Sequence, residues 1–126
     1  MEPLRAGDGV VKFIQVYRHR RFFRKMELAW TKEELMKGLL GRTTAGSGMF
    51  LMGGNVIHTF QMKFPIDVVY LSERGLVIGL EEKLLPNRQG AVIEGVRHVA
   101  EFNAGTIKNH HIIVGEQWFW RIVDQK

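Results

Sequence analysis

The densest chemistry in the 126-residue chain lies between His58 and Leu71, HTFQMKFPIDVVYL, where a histidine, a lysine and an aspartate interrupt an apolar and aromatic run that a proline breaks once. Histidine titrates near neutral pH, and a neighbouring carboxylate can orient its ring. His58 and Asp67, with Glu101 as a second carboxylate, therefore form a set able to hold a ligand or move a proton. Arg42 and Lys63 add positive charge that could face an anion, so the candidate ligand-binding residues are His58, Asp67, Glu101, Arg42 and Lys63. Read as a strand, Val56 to Met62 places His58 with Phe60 and Met62 on one face. Asp67 follows the Pro65 bend and shares its face with Val69 and Leu71, in a segment apolar on both sides where an unpaired charge is expensive. It needs a partner: His58, Lys63, Arg42 or free backbone amides at the bend. Glu101 has the same need.

No catalytic residue is assigned. The chain has no cysteine, and nothing in the spacing around Ser47 or Thr59 activates a hydroxyl. His110 and His111 are adjacent and would point apart in a strand, and there is no HxH or HExxH, so neither a metal site nor a cofactor is expected. The glycine-rich pieces AGSG and GGN precede strands and read as turns, not as phosphate loops at helix N-termini.

The net charge of +5 has one source: Arg18, Arg20, Arg21, Arg24 and Lys25 within YRHRRFFRK, the remaining thirteen Lys and Arg balancing thirteen Asp and Glu. With Tyr17, Phe22 and Phe23 interleaved, these five form a candidate anion or nucleic-acid patch. The plainer reading is a solvated hairpin tip.

The elements that must position these groups are short. Val10–Tyr17 and Phe22–Ala29 fit two strands of a hairpin turning at RHRR. TKEE at 31–34 is a capping box opening a helix from about Lys32 to Leu40, with Gly38 inside it as a close packing point and Gly41 as its left-handed stop. Further strands are expected at Met49–Met52, Val56–Met62, Ile66–Leu71, Leu76–Leu80, Ala91–Ile93, Val96–Phe102 and Trp118–Val123, with a one-turn helix near Thr106–Asn109. Trp118 and Trp120 share a face of the last strand, as core or as a sandwich edge. The fold class is mainly β, a jelly-roll-like β-sandwich or partly closed barrel with one or two short helices, in a single domain over 1–126 with a loose lead-in at 1–9.

The segments WTKEELMKGLLGR, GMFLM, HTFQMKFPIDVVYL and VAEFNAGTIKNHHIIVGE, in this order, resemble the signature of the uncharacterised family known as domain of unknown function 192. The resemblance covers a core of about 27–118. It implies an all-β, jelly-roll-like sandwich and no established activity. By position it takes in Gly38, Leu39, Gly41 and Arg42; His58, Thr59, Phe60, Met62, Lys63, Pro65 and Asp67; and Glu101, Ala104, Gly105 and Gly115. Gln61 stands where a small or aromatic residue is common, and His111 where a glycine is common; histidine tolerates the left-handed backbone such a position demands. The basic hairpin lies outside this core.

The expected function is a module binding a small ligand or a protein partner. The alternatives are a hydrolase-like enzyme using the His and carboxylates, and a nucleic-acid-associated domain working through the hairpin. No apolar run approaches the roughly eighteen residues that span a bilayer, and MEPLRAGDGVV lacks the basic and apolar regions of a signal peptide, so a cytoplasmic location is expected.

Overall fold

The structure, a computed structural model, describes residues 11–123. Nine elements follow one another: β1 (Phe13–Arg18), β2 (Arg21–Ala29), α1 (Lys32–Lys37), β3 (Met49–Met52), β4 (Ile66–Leu71), β5 (Val77–Leu84), β6 (His98–Asn103), α2 (Thr106–Asn109) and β7 (Trp118–Val123). The strands form one seven-stranded sheet in the order β5-β4-β6-β3-β2-β1-β7. Every neighbouring pair is antiparallel except β2 and β3, which run parallel. A parallel pair cannot be joined by a hairpin, so the chain needs a long crossover there, and α1 lies in it.

The sheet does not close, but its outer strands meet at one end. Leu76 bridges Gln117, the Val77 amide donates to the Glu116 carbonyl at 2.9 Å, and the Trp118 amide donates to the Gly75 carbonyl at 2.8 Å. The curled sheet encloses Ile14, Val16, Met26, Leu28, Phe50, Val69, Leu71, Phe102 and Trp118 on its inner face, with Ile107 and Ile112 beside them. The outer face carries a second apolar layer, including Leu51, Ile66, Val68, Tyr70 and Val99, which Leu39, Ala45, Ile57 and Met62 of the connecting segments cover. β4 is buried throughout, as its composition requires, because the sheet buries both of its faces. No helix among the described residues is long and apolar enough to cross a membrane.

Several expected elements differ, each for a local reason. The helix stops at Lys37, not Leu40, because Gly38 turns to φ +47° while its amide still donates to the Glu34 carbonyl; the capping box itself is formed, Glu34 amide to Thr31 Oγ1 at 3.1 Å. Residues 56–62 are not a strand. A single bridge from His58 to Gln89 is all the pairing they make, and Thr59 ties them instead to the 85–90 segment, which also displaces the strand expected at Ala91–Ile93. The hairpin turn is tighter than expected, His19-Arg20 alone, with His19 at φ +54°. The lead-in at 1–9 and the start of the first strand at Val10 lie outside the described residues. His111 adopts φ +52°, the left-handed backbone its position after α2 requires.

Gly75 is the weak point of the seam between β5 and β7. Its φ is +89°, and a Cβ there would run into the Trp118 carbonyl oxygen. Gly75→Ala should therefore destabilise by at least about 2 kcal/mol through backbone strain and overpacking. Chemical denaturation checks this; unchanged stability would show that the seam does not hold the sheet.

Candidate functional site

Asp67 and Glu101 occupy neighbouring rungs of paired strands: Asp67 lies opposite Phe102 and Glu101 opposite Val68. Successive side chains of a strand alternate between faces, so the two carboxylates point to opposite sides of the sheet. That alternation divides the candidate set in two.

Asp67, fully buried on the inner side, is held by three backbone amides. Oδ1 accepts from Lys83 N at 2.9 Å, and Oδ2 from Gly105 N at 3.0 Å and Ile107 N at 2.9 Å. Lys83 sits at φ +52° where β5 bulges opposite Asp67, which turns its amide inward. Gly105 is the N-cap of α2 and has no side chain to cap it, so Asp67 reaches across from β4 to do so. Three donors satisfy the charge without a cation or a histidine. Asp67→Asn turns one acceptor oxygen into an NH₂ that faces an N–H. It should cost about 1–3 kcal/mol, measured by thermal or chemical denaturation; a variant as stable as the parent would show that the amides do not need the carboxylate.

Glu101 has the opposite environment. A single row of cross-strand partners runs Glu27, Met49, Glu101, Val68, Glu81 over the outer face, from β2 to β5. It brings three glutamates onto one face at every second strand, about 10 Å apart. Arg42 holds Glu27 bidentately at 2.7 and 2.8 Å. The Tyr70 hydroxyl and the Ala91 amide donate to Glu81 Oε1. Glu101, only 3% exposed, has no partner at Oε1, and no hydrogen bond or ion pair among the described residues involves its carboxyl. Burial alone pushes it from 4.5 up to about 7. Glu116 shows what donors change: burial pushes it up too, but Arg18, the Trp118 indole and the Ile113 amide outweigh this and hold it below the usual value.

The Glu101 carboxyl lies at the floor of a cleft of about 500 Å³ beneath α1. Leu35, Met36, Gly38, Leu39 and Leu40 line one wall, and Leu51, Val56, Ile57, His58, Phe60 and Met62 the other, with Lys32 and Lys37 at the margin. α1 buries none of its own residues, and Met36, Leu40, Val56 and Phe60 leave much of their apolar surface open around the mouth. Gly38 packs close to Glu101: a Cβ there would make ordinary contact with Oε1 at 3.8 Å.

Of the other candidates, His58 joins Glu101 in this cleft, stacked on Phe60 at 4.9 Å with Nδ1 accepting from the Phe60 amide. It makes neither a hydrogen bond nor an ion pair with Asp67, so the dyad that would orient its ring is not formed. Arg42 is taken by Glu27, and Lys63 is exposed away from the cleft lining. Thr59, fully buried, is the structural residue of its motif: its hydroxyl donates to the Leu85 carbonyl at 2.6 Å and accepts from the Arg88 amide at 2.9 Å.

The basic hairpin is divided as well. Arg24 shares the inner face with Met26 and Leu28, and a bulge beside Val16 and Tyr17 turns Phe23 to the same side, so that Arg24 lies 5.1 Å over the Phe23 ring with Nη2 3.1 Å from His110 Nε2, while Lys25 lies 4.7 Å over Phe13 on the outer face. Arg18 is bidentate to Glu116 at 2.7 and 2.8 Å. Arg20 and Arg21, at the turn, are exposed. Among the described residues no cluster of three or more His, Asp or Glu is placed to hold a metal ion.

Sequence reasoning missed the walls of the cleft. Leu35, Met36 and Leu40 recur at helical spacing, which reads as a core-facing stripe; nothing local shows that the helix ends early over an open space. It also missed the Arg18–Glu116–Trp118 and Tyr70–Glu81 contacts, whose partners are 98 and 11 residues apart for the Arg18 and Tyr70 bonds.

The fold and the sequence pattern are those of a family described as uncharacterised. The chain belongs to DUF192, the family described as an uncharacterized ACR, whose pattern matches residues 15–120. The match includes the hairpin from residue 15 onward, so the basic segment lies within the family's span and not outside it. No curated protein is significantly similar. Two solved structures share the fold: a proposed transcription regulator from Sinorhizobium meliloti, 22% identical with a TM-score of 0.72 over 88% of this chain and 94% of that one, and a protein of unknown function from Novosphingobium aromaticivorans, 20% identical with a TM-score of 0.73 over 94% and 91%.

Because the Glu101 carboxyl titrates higher in the folded chain than unfolded, between pH 4.5 and about 7 the folded chain keeps a proton the unfolded chain has released. Stability from this group therefore falls as pH rises through that window and stays low above it. The difference is worth about 3 kcal/mol. Glu101→Gln should match the parent near pH 5 and exceed it by up to that amount at pH 8. Thermal unfolding at both pH values checks this; an advantage that does not grow with pH would mean the carboxylate has found a partner.

Proposed function

We propose that the chain is a small-ligand binding domain and that the cleft between α1 and residues 51–62 is its site. The observation that carries this reading is the Glu101 carboxyl, buried, without a partner at Oε1, on a residue that lines the space. A buried carboxyl with no donor destabilises the fold that holds it, and the same outer face supplies donors to Glu27 and Glu81. A ligand that brings a donor removes that penalty, so part of its affinity is already prepared. The volume falls within the range of small-molecule sites, and the lining is apolar with few polar groups, the usual division between affinity and orientation. The open apolar side chains at the mouth extend the same surface outward.

The hydrolase-like reading has less support. The cleft lining contains no serine or threonine, and His58 has no carboxylate orienting it. Nucleic-acid association through the hairpin is also less supported, because Arg18, Arg24 and Lys25 are engaged on two different faces.

The test is a fragment screen by protein-observed NMR on the whole chain, using cationic, neutral and anionic fragments. Binders should shift the amides of Gly38, Gly54, Ile57 and Met62 together, and Leu40→Lys, which puts a charge at the mouth, should weaken them at least tenfold. Fragments that bind elsewhere, or none that bind, would overturn the reading.

A further inference from the structure

We infer that the cleft selects a protonated primary amine on a short apolar stem, the ammonium docking on Glu101 and the stem lying along Leu35, Met36, Leu40, Val56 and Phe60. This rests on the ligand-binding reading above and names the ligand class for that site.

An ionised carboxylate only accepts hydrogen bonds, so whatever satisfies Glu101 must donate. In a site shielded from water a cationic donor gains more from it than a neutral one. The head group must be compact. Glu101 lines the cleft, yet the residue is only 3% exposed and Oε1 is closed to solvent, so only a small head group reaches the carboxyl. An ammonium is a compact point charge, whereas a guanidinium is a wide planar fork suited to two exposed oxygens. The apolar walls and the open side chains of Met36 and Phe60, 70% and 51% exposed, then cover a hydrocarbon stem leading from the floor to the mouth.

The groups facing Glu101 are few. Lys32 and Lys37 stand on α1, His58 on the 56–62 segment, and Tyr70 on β4 with its hydroxyl committed to Glu81. Both lysines are exposed and neither pairs with Glu101, so water and salt screen them while the buried carboxylate is screened little. If the lysines nonetheless governed selection, the cleft would favour an anion. That is a distinct and measurable outcome.

Three six-carbon probes separate these cases: n-hexylammonium, 1-hexanol and hexanoate, titrated into the whole chain by NMR and calorimetry at pH 8 and pH 5.5. At pH 8 hexylammonium should bind at least tenfold more tightly than hexanol or hexanoate. The preference should collapse at pH 5.5, where Glu101 is protonated, since its carboxyl titrates at about 7. Glu101→Gln should abolish the preference at pH 8 while hexanol still binds; the pH series on the unsubstituted chain makes the same test without a substitution. Equal binding of the three probes, or a preference for hexanoate, would overturn the amine selection and leave the cleft as a site. Saturable binding by none of them would remove the site itself.

Discussion

One buried carboxylate ties a central strand to the elements on both sides of it. Asp67 leaves β4 just after the Pro65 bend and accepts from the bulge of β5 on one side and from the first turn of α2 on the other. The bulge fixes how β5 curves, and α2 lies beside the inner core through Ile107. The junction of β4, β5 and α2 thus rests on a charge satisfied by backbone amides alone. Such bonds are short and directional, and they leave no oxygen for a ligand. The most specific motif of the chain is architectural at its aspartate and at Thr59.

Glu101 is the complement of that arrangement. It stands one rung away, on the other face, and receives nothing. Glu27 and Glu81 on the same row show that the fold can neutralise a glutamate there, with an arginine from the crossover or with a tyrosine and an amide. The difference lies in what covers the row. Over Glu101 the cover is a two-turn helix that ends at a glycine and a segment that never joins the sheet, and between them they leave a cleft. The cleft is therefore a consequence of an incomplete outer layer, and the carboxyl of a residue lining it is buried without a donor at Oε1.

The sequence was informative where the physics is local. Alternation and β-branching mark β2, β4 and β7, TKEE marks the start of α1, and the buried character of β4 follows from its having no polar face. The need of Asp67 and Glu101 for partners was also legible, because a carboxylate inside an apolar strand is costly wherever it sits. The expectation of amides at the bend as partners for Asp67 is close in kind, but the donors lie 16, 38 and 40 residues away and their approach depends on a bulge and on strand order. Residues 56–62 alternate as a strand would, yet they bridge only to Gln89 and pack Ile57 and Met62 across the outer face of the sheet.

What the sequence determined by itself was seven of nine expected strands, the capped start of the helix, the family and the short list of residues that could not be ordinary core. Tertiary structure decided which of those residues meet. His58 and Asp67 are nine positions apart and look like a pair; the sheet puts them on opposite sides. His58 and Glu101 are 43 positions apart and share a cleft. The physical reason is that the face of a side chain follows from its own strand's period of two, whereas its neighbours follow from strand order, bulges and the path of the crossovers, which are set by long-range packing and leave no local mark.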